Sequence, residues 1–267
     1  MATFHVMTGA SENFERPAVN RISIADVFDA LRLGFEDFRE KPSHYVFLCL
    51  MYPIAGIFLT MLTSGANLAP MAFPLMSGFV LIGPLAAIGL YEISRRREAG
   101  LDTSWKHALD VRRSPALPSI IAVGLLLFGI FTVWLVTAQT IYTNLLGEVF
   151  PRSTSLFLQQ VFGTPEGLQL ILWGNLVGLG FAFVVLAITV VTFPMLLDRD
   201  CGAVAAMVAS IRATFANPVP VLLWGLIVAA LLLIGTIPLF AGLALVIPIL
   251  GHATWHLYRK LIAREAT

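Results

Sequence analysis

The sequence predicts an all-α fold: a polytopic membrane helix bundle of six transmembrane helices, built as three parallel repeats that each carry an interfacial amphipathic helix. Three observations carry this reading. Hydrophobic residues make up 58% of the 267 residues and charged ones 12%, about half the charged share of a soluble domain. The apolar residues fall into six long runs. The basic residues fall almost wholly into alternate connections between those runs. A chain this apolar has too little polar surface to cover a core in water, so lipid is its solvent.

In chain order, residues 1–23 form an N-terminal cytoplasmic tail and 24–267 a six-span membrane domain. The tail carries Glu12, Glu15 and Arg16 and no continuous apolar core, so no cleavable signal peptide is expected. Ile24, Val27, Phe28, Leu31, Phe35 and Phe38 then recur at helical spacing, with Asp26, Asp29, Arg32 and Glu36 between them. Ser23 with Asp26 reads as a capping box and Pro42 closes the segment. Such a helix lies in the membrane interface. Shorter counterparts are expected from Thr103 to Arg113, through Trp105, Ala108 and Leu109, and from Ala203 to Phe215, through Val204, Met207, Val208 and Ile211.

The six spans are His44–Ser64, Pro70–Tyr91, Ala116–Ile141, Gly167–Leu197, Pro218–Ile237 and Phe240–Tyr258. Each is close to the roughly 20 residues that cross the hydrocarbon core, and the fourth is long enough to tilt. Kinks are expected at the interior prolines Pro53, Pro84, Pro194 and Pro248. Of 17 Lys and Arg residues, only Arg152 lies in a connection of the opposite parity. The positive-inside rule then puts both termini in the cytoplasm. The net charge is +1; it points to no polyanionic partner, and no nucleic acid is expected. Cys49 and Cys201 are far apart, which supports neither a disulfide framework nor a thiolate metal site.

The three units span about 24–100, 102–202 and 203–267. Sliding the chain by 102 positions places Arg97 on Arg199, Glu98 on Asp200, Gly100 on Gly202, Leu109 on Ile211 and Pro118 on Pro220. Sliding it by 167 places Leu90-Tyr91 on Leu257-Tyr258 and Arg97-Glu98-Ala99 on Arg264-Glu265-Ala266. Two spans per unit give all three the same orientation, about an axis along the membrane normal.

The stretches Phe79–Arg97 (FVLIGPLAAIGLYEISRRR) and Phe193–Gly202 (FPMLLDRDCG) resemble a bacterial family of integral membrane proteins, domain-of-unknown-function family 2189. Leu31–Pro42 and the Asn217-Pro218 pair fit the same pattern. The resemblance runs from about residue 24 onward. It implies a six-span protein of the bacterial inner membrane and carries over no catalytic or binding residue.

Candidate sites each have a plain structural alternative. His252 and His256, four apart on one helix face, could share a metal ion or sit at headgroup level; the latter is favoured because His5, His44 and His107 are scattered. Asn175 is the deepest amide and is expected to bond across helices, with Gly174 and Gly178 marking a packing face beside Gly180. Gln139, Thr140 and Glu92 lie near span ends, and no charge sits at a span centre, which counts against ion-coupled transport. The carboxylates Glu98 and Asp200 and the cations Arg32, Arg97, Arg112, Arg199 and Arg212 are read as interface electrostatics, the arginines contacting lipid phosphates. No Walker loop, nucleophile elbow, zinc-protease helix or dinucleotide fingerprint occurs.

The functional expectation is a non-enzymatic accessory or membrane-organising component without a cofactor. Its partners would be membrane lipid and, secondarily, another membrane protein complex. The alternative is a passive or weakly coupled transporter of a small or lipid-like solute.

Overall fold

A reciprocal cap starts the first helix, α1 (Ile24–Glu40). The Ser23 backbone N–H donates to Asp26 at 2.8 Å, and the Asp26 N–H donates back to the Ser23 hydroxyl at 3.3 Å. The computed structural model describes residues 17–40, 50, 54, 56–58, 61, 69–148, 151, 153–199 and 201–264, without the side chains of 69, 77–82 and 85–86. Apart from its few described positions, the expected span His44–Ser64 lies outside the described residues, as do His5, His44, Cys49, Pro53, Arg152 and Asp200.

Beyond α1 the chain forms α2 (Ala69–Ala86), α3 (Ile88–Glu98), a 3₁₀ helix (Trp105–Arg113) and α4 (Leu117–Leu146). It continues through α5 (Thr154–Gly163), α6 (Pro165–Thr189), α7 (Thr192–Asp198), α8 (Gly202–Ala216), α9 (Pro218–Thr236) and α10 (Leu243–Leu261). Among the described residues there is no strand, only an isolated antiparallel bridge between Val19 and Ile262. That bridge is extended by Asn20 N–H to the Leu261 carbonyl at 2.9 Å and Ala263 N–H to the Ala18 carbonyl at 3.0 Å. The two ends of the described chain are therefore clasped together.

Among the described residues three helices are long and apolar enough to cross a membrane: Leu117–Leu146, Pro165–Asp198 (α6 running on into α7) and Pro218–Thr236. Each opens with proline in its first turn, where the missing N–H costs nothing and the fixed φ suits a helix. The expected kinks resolve in different ways. Pro194 cannot bond back to Val190, and α6 ends at Thr189 with a break before α7. Pro84 precedes the turn at Ala87, whereas Pro248 lies within a continuous α10.

The short amphipathic segments dock on the ends of the long helices. α1 lies along α10, the 3₁₀ helix lies on α3, and α8 lies on α6 and α7. α1 approaches α10 so closely that a Cβ on Gly34 would collide with the backbone of Ala253. On its other side α10 meets α3, where a Cβ on Gly251 would come within 2.6 Å of Leu90. At this end α3, α7 and α10 also pack on one another. Their meeting place holds the most deeply buried large side chains, among them Leu90, Tyr91, Phe193, Trp255, Leu257 and Tyr258, all 2% exposed or less. Burying each of these contributes about 1.5–3 kcal/mol or more by area.

The amphipathic helices carry two apolar faces. In α1, Val27, Ala30, Gly34 and Phe38 are buried, while Ile24, Phe28 and Phe35 are about half exposed on the far side. In α8 the buried face is Ala203, Ala206, Ala209 and Ala213, and the large residues Val204, Val208, Ile211 and Phe215 face outward. Small residues allow close approach to the bundle; large ones are left for lipid.

Candidate functional site: the ion-paired end of the bundle

Where α3, α7 and α10 converge, the acidic side chains Glu92, Glu98 and Asp198 each have a cation beside them. On α10, Arg259 donates two bonds to Asp198 at the end of α7, at 2.7 and 2.9 Å, and one to Glu98 at the end of α3, at 2.8 Å. Its guanidinium lies 4.8 Å from the centroid of the Trp255 ring, a cation–π contact that keeps it planar against the core. Tyr258 donates its hydroxyl proton to Asp198 at 2.6 Å, and Trp255 donates to Glu98 at 3.0 Å. Arg264 also reaches Glu98, and Arg199 donates to the Ala263 carbonyl. Bidentate charge-assisted bonds of this kind fix geometry as well as energy.

A second cluster joins α1 to α3 and α10. Asp37, largely buried, accepts from the Ser94 hydroxyl at 2.9 Å, from His256 Nε2 at 2.9 Å and from Arg97. Ser94 Oγ also lies 2.7 Å from His252 Nδ1. Arg97 extends the cluster to Glu40 at 3.1 Å. Burial pushes the Asp37 carboxyl upward, but the bond and charge of His256, the charge of His252 and the Ser94 bond outweigh it, and its pKa lies below the ordinary carboxylate value. A Ser–His pair this close resembles part of a nucleophile relay. However, the carboxylate sits on Ser94 and His256 instead of orienting His252 from behind, and Ser94 and His252 are 2% and 0% exposed. The cluster ties three helices together.

At the edge of the same end, Lys260 pairs with Asp29 of α1 at 2.7 Å and with Asp26 at 3.5 Å. Asp29 is held below its ordinary value by the Lys260 and Arg32 bonds, and Asp26 by the Ser23 backbone N–H and hydroxyl. Two clefts open between the paired helix ends. The larger, about 390 Å³, runs between α3, the 3₁₀ helix, the start of α4 and α7. The smaller, about 260 Å³, is lined by Glu98, Asp198, Arg199, Arg259 and Arg264.

The residues singled out from sequence are distributed as follows. His252 and His256 converge on Asp37, and among the described residues no three His, Cys, Asp or Glu side chains form a set that could hold a metal ion. Asn175 is exposed and donates to the Ile171 carbonyl of its own helix at 2.7 Å, instead of bonding across helices. A Cβ on Gly178 would lie 3.1 Å from the Trp134 ring of α4, whereas one on Gly174 or Gly180 would meet open space; the close approach rests on Gly178. Arg32 pairs with Asp29 and Glu36 on the exposed side of α1, Arg97 with Asp37 and Glu40, and Arg112 with the Leu109 carbonyl. Arg199 is 8% exposed at its side chain and faces Asp198 and Ala263, while Arg212 is exposed.

Sequence reasoning passed over Asp37, Ser94, Arg95, Arg96, Arg113 and Arg259 as partners. One signal was available for Asp37: it lies three residues after Gly34 and beside Phe38, next to the small and apolar residues of the buried face of α1.

Residues 72–198 match the model of a family described as predicted integral membrane protein, domain-of-unknown-function family 2189. The match takes in all of Phe79–Arg97 and the first part of Phe193–Gly202, the stretches that carried the resemblance. No curated protein and no solved structure matches the chain. The chain is an integral membrane protein with apolar helices, and the family's description assigns no activity.

Proposed function

We propose that this chain is a non-enzymatic accessory or organising component of a bacterial inner membrane, with six spans in three parallel repeats and both termini cytoplasmic. Its partners are membrane lipid and another membrane protein complex. The observation that carries this reading is the closed, ion-paired end of the bundle. Tyr91, Phe193, Leu257 and Tyr258 are buried where α3, α7 and α10 meet, and Arg259 clamps Asp198 and Glu98 beside them. A filled junction with a charged rim suits a rigid platform at the headgroup level better than a conduit.

The cyclic docking of the short helices supports the repeats. Each packs on the end of a preceding unit's return helix: the 3₁₀ helix on α3, α8 on α7, and α1 back onto α10. Equivalent positions make equivalent contacts. A Cβ on Gly89 would lie 3.0 Å from Ala108, and shifting both numbers by 102 gives Val191 and Ser210, whose backbone N–H and hydroxyl are 3.4 Å apart.

Purification in mild detergent with mass spectrometry of co-purifying protein and lipid tests the function. A stoichiometric membrane-protein partner is expected, and solute flux by the isolated protein in liposomes would overturn the reading in favour of a transporter. Reporters fused at the C-terminus and beside Arg152 test the orientation: cytoplasmic activity is expected for the first and external activity for the second. The reverse pattern would undo the charge argument.

A further inference from the structure

The larger cleft is built from three separate segments, and its charges are unevenly matched. Glu92 is held by two Arg95 bonds of 2.8 Å each, Asp198 by Arg259, and Asp110 by His107 at 2.5 Å. Two cations of the lining, Arg96 and Arg113, are less well matched. Arg96 donates to the neutral Asp102 carbonyl at 2.7 Å, and its carboxylate neighbours, Asp110 at 3.8 Å and Glu92 at 4.0 Å, lie beyond hydrogen-bond distance. Arg113, at the exposed end of the 3₁₀ helix, acts on Asp110 only through charge. The lining ends at Ser114, Pro115 and Ala116, the residues that lead into the 30-residue helix α4, which has no side-chain cap. The positive end of that helix adds to the arginines. Val111, Pro115, Ala116 and Leu197 form an apolar wall.

We propose that this cleft binds a phosphate-bearing anion, supplied by the headgroup of an anionic phospholipid whose acyl chains leave along the apolar wall. Arg96 and Arg113 are the residues that hold it. Guanidinium groups on two elements can each present a fork of N–H donors to the oxygens of one phosphate, which a single carboxylate cannot fill. The volume, about 390 Å³, leaves room for the glycerol and first methylenes beyond the phosphate. The position suits a lipid because α4 runs from the cleft straight into its apolar length. The inference rests on this end lying at the membrane interface, and it goes beyond the proposed function by naming a ligand class and the residues that take it.

Native mass spectrometry of the purified full chain, titrated with phosphatidic acid, with phosphatidylcholine and separately with inorganic phosphate, tests it. Wild type is expected to prefer phosphatidic acid, and Arg113→Gln and Arg96→Gln should each weaken that binding about tenfold, as loss of a charge-assisted bond implies. Lys106→Gln, an equal loss of charge on the exposed side of the same 3₁₀ helix, should leave it unchanged. Arg113 is exposed, so its variant folds and stays informative even where Arg96→Gln does not. Equal phosphatidic acid binding by wild type and Arg113→Gln would overturn the site. Tight binding of inorganic phosphate that displaces the lipid would overturn the lipid source. Neither outcome touches co-purification of a partner, so failure here is separable from failure of the accessory reading.

Discussion

The two ends of the molecule are built on different principles. At the charged end, helix positions are fixed by named pairs: Arg259 with Asp198 and Glu98, Asp37 with Ser94, His256 and Arg97, Lys260 with Asp29. Along the apolar lengths, only 28%, 39% and 22% of the most apolar windows of the three long helices are buried. There Leu125, Phe128, Leu172, Leu226 and Leu233 point away from the protein. Lipid tails solvate such side chains as well as another helix would, so burial there gains little and specificity has to come from elsewhere. The fold places it at the charged end, where an unmatched buried charge is costly and a matched one is selective.

This contrast predicts that equal-sized changes have unequal effects. The largest is expected for Gly34→Leu: the added side chain meets the Ala253 backbone, so α1 should fail to dock on α10. The measurement is protease or maleimide access to α1 in mild detergent, and an undiminished melting temperature with protected α1 would break the comparison. Next comes Asp37→Asn, which leaves Arg97 and the histidines without their carboxylate and should cost about 2–3 kcal/mol. Because the folded Asp37 carboxyl lies below its ordinary value, its contribution is present above about pH 4 and is lost as pH falls below it. Thermal scans between neutral and acid pH should therefore show wild type losing its advantage over the variant. A constant gap down to strongly acid pH would show that the stabilising group is not this carboxyl. The smallest effects belong to the apolar length. Gly178→Val should cost about 1–2 kcal/mol by crowding Trp134, while Gly174→Val and Asn175→Leu should fall within about 0.5 kcal/mol of wild type. Chemical unfolding in detergent would sharpen the contrast, and equal losses at all three positions would erase it.

Helix content and the three long apolar helices, with their proline-marked starts, were legible because hydropathy and prolines are local signals. The Ser23–Asp26 cap was legible for the same reason, since its partners lie three residues apart. The division of the amphipathic stripe was not. Ile24, Val27, Phe28, Phe35 and Phe38 read as one apolar face, yet Val27 and Phe38 meet protein and the others face outward; hydropathy has the same sign toward lipid as toward a core. Nor was the Asp37 cluster legible, because its bond to His256 joins residues 219 apart. Asn175 illustrates the opposite case. It was expected to bond across helices, but a single amide can satisfy itself on the Ile171 carbonyl one turn back, which removes the need for a neighbour.

The clasp of residues 18–20 against 261–263 and the docking of α1 on α10 bear on how the protein is made. At translation rates of about 5–20 residues per second, the 219 positions from Asp37 to His256 take roughly 10–40 s to emerge. Throughout that interval α1 has been synthesised and its permanent seat has not. Its small-residue face and the Asp37 carboxylate must wait until α10 has been made. α10 is thus the helix that locks α1, so a nascent chain stalled before α10 is left with α1 undocked.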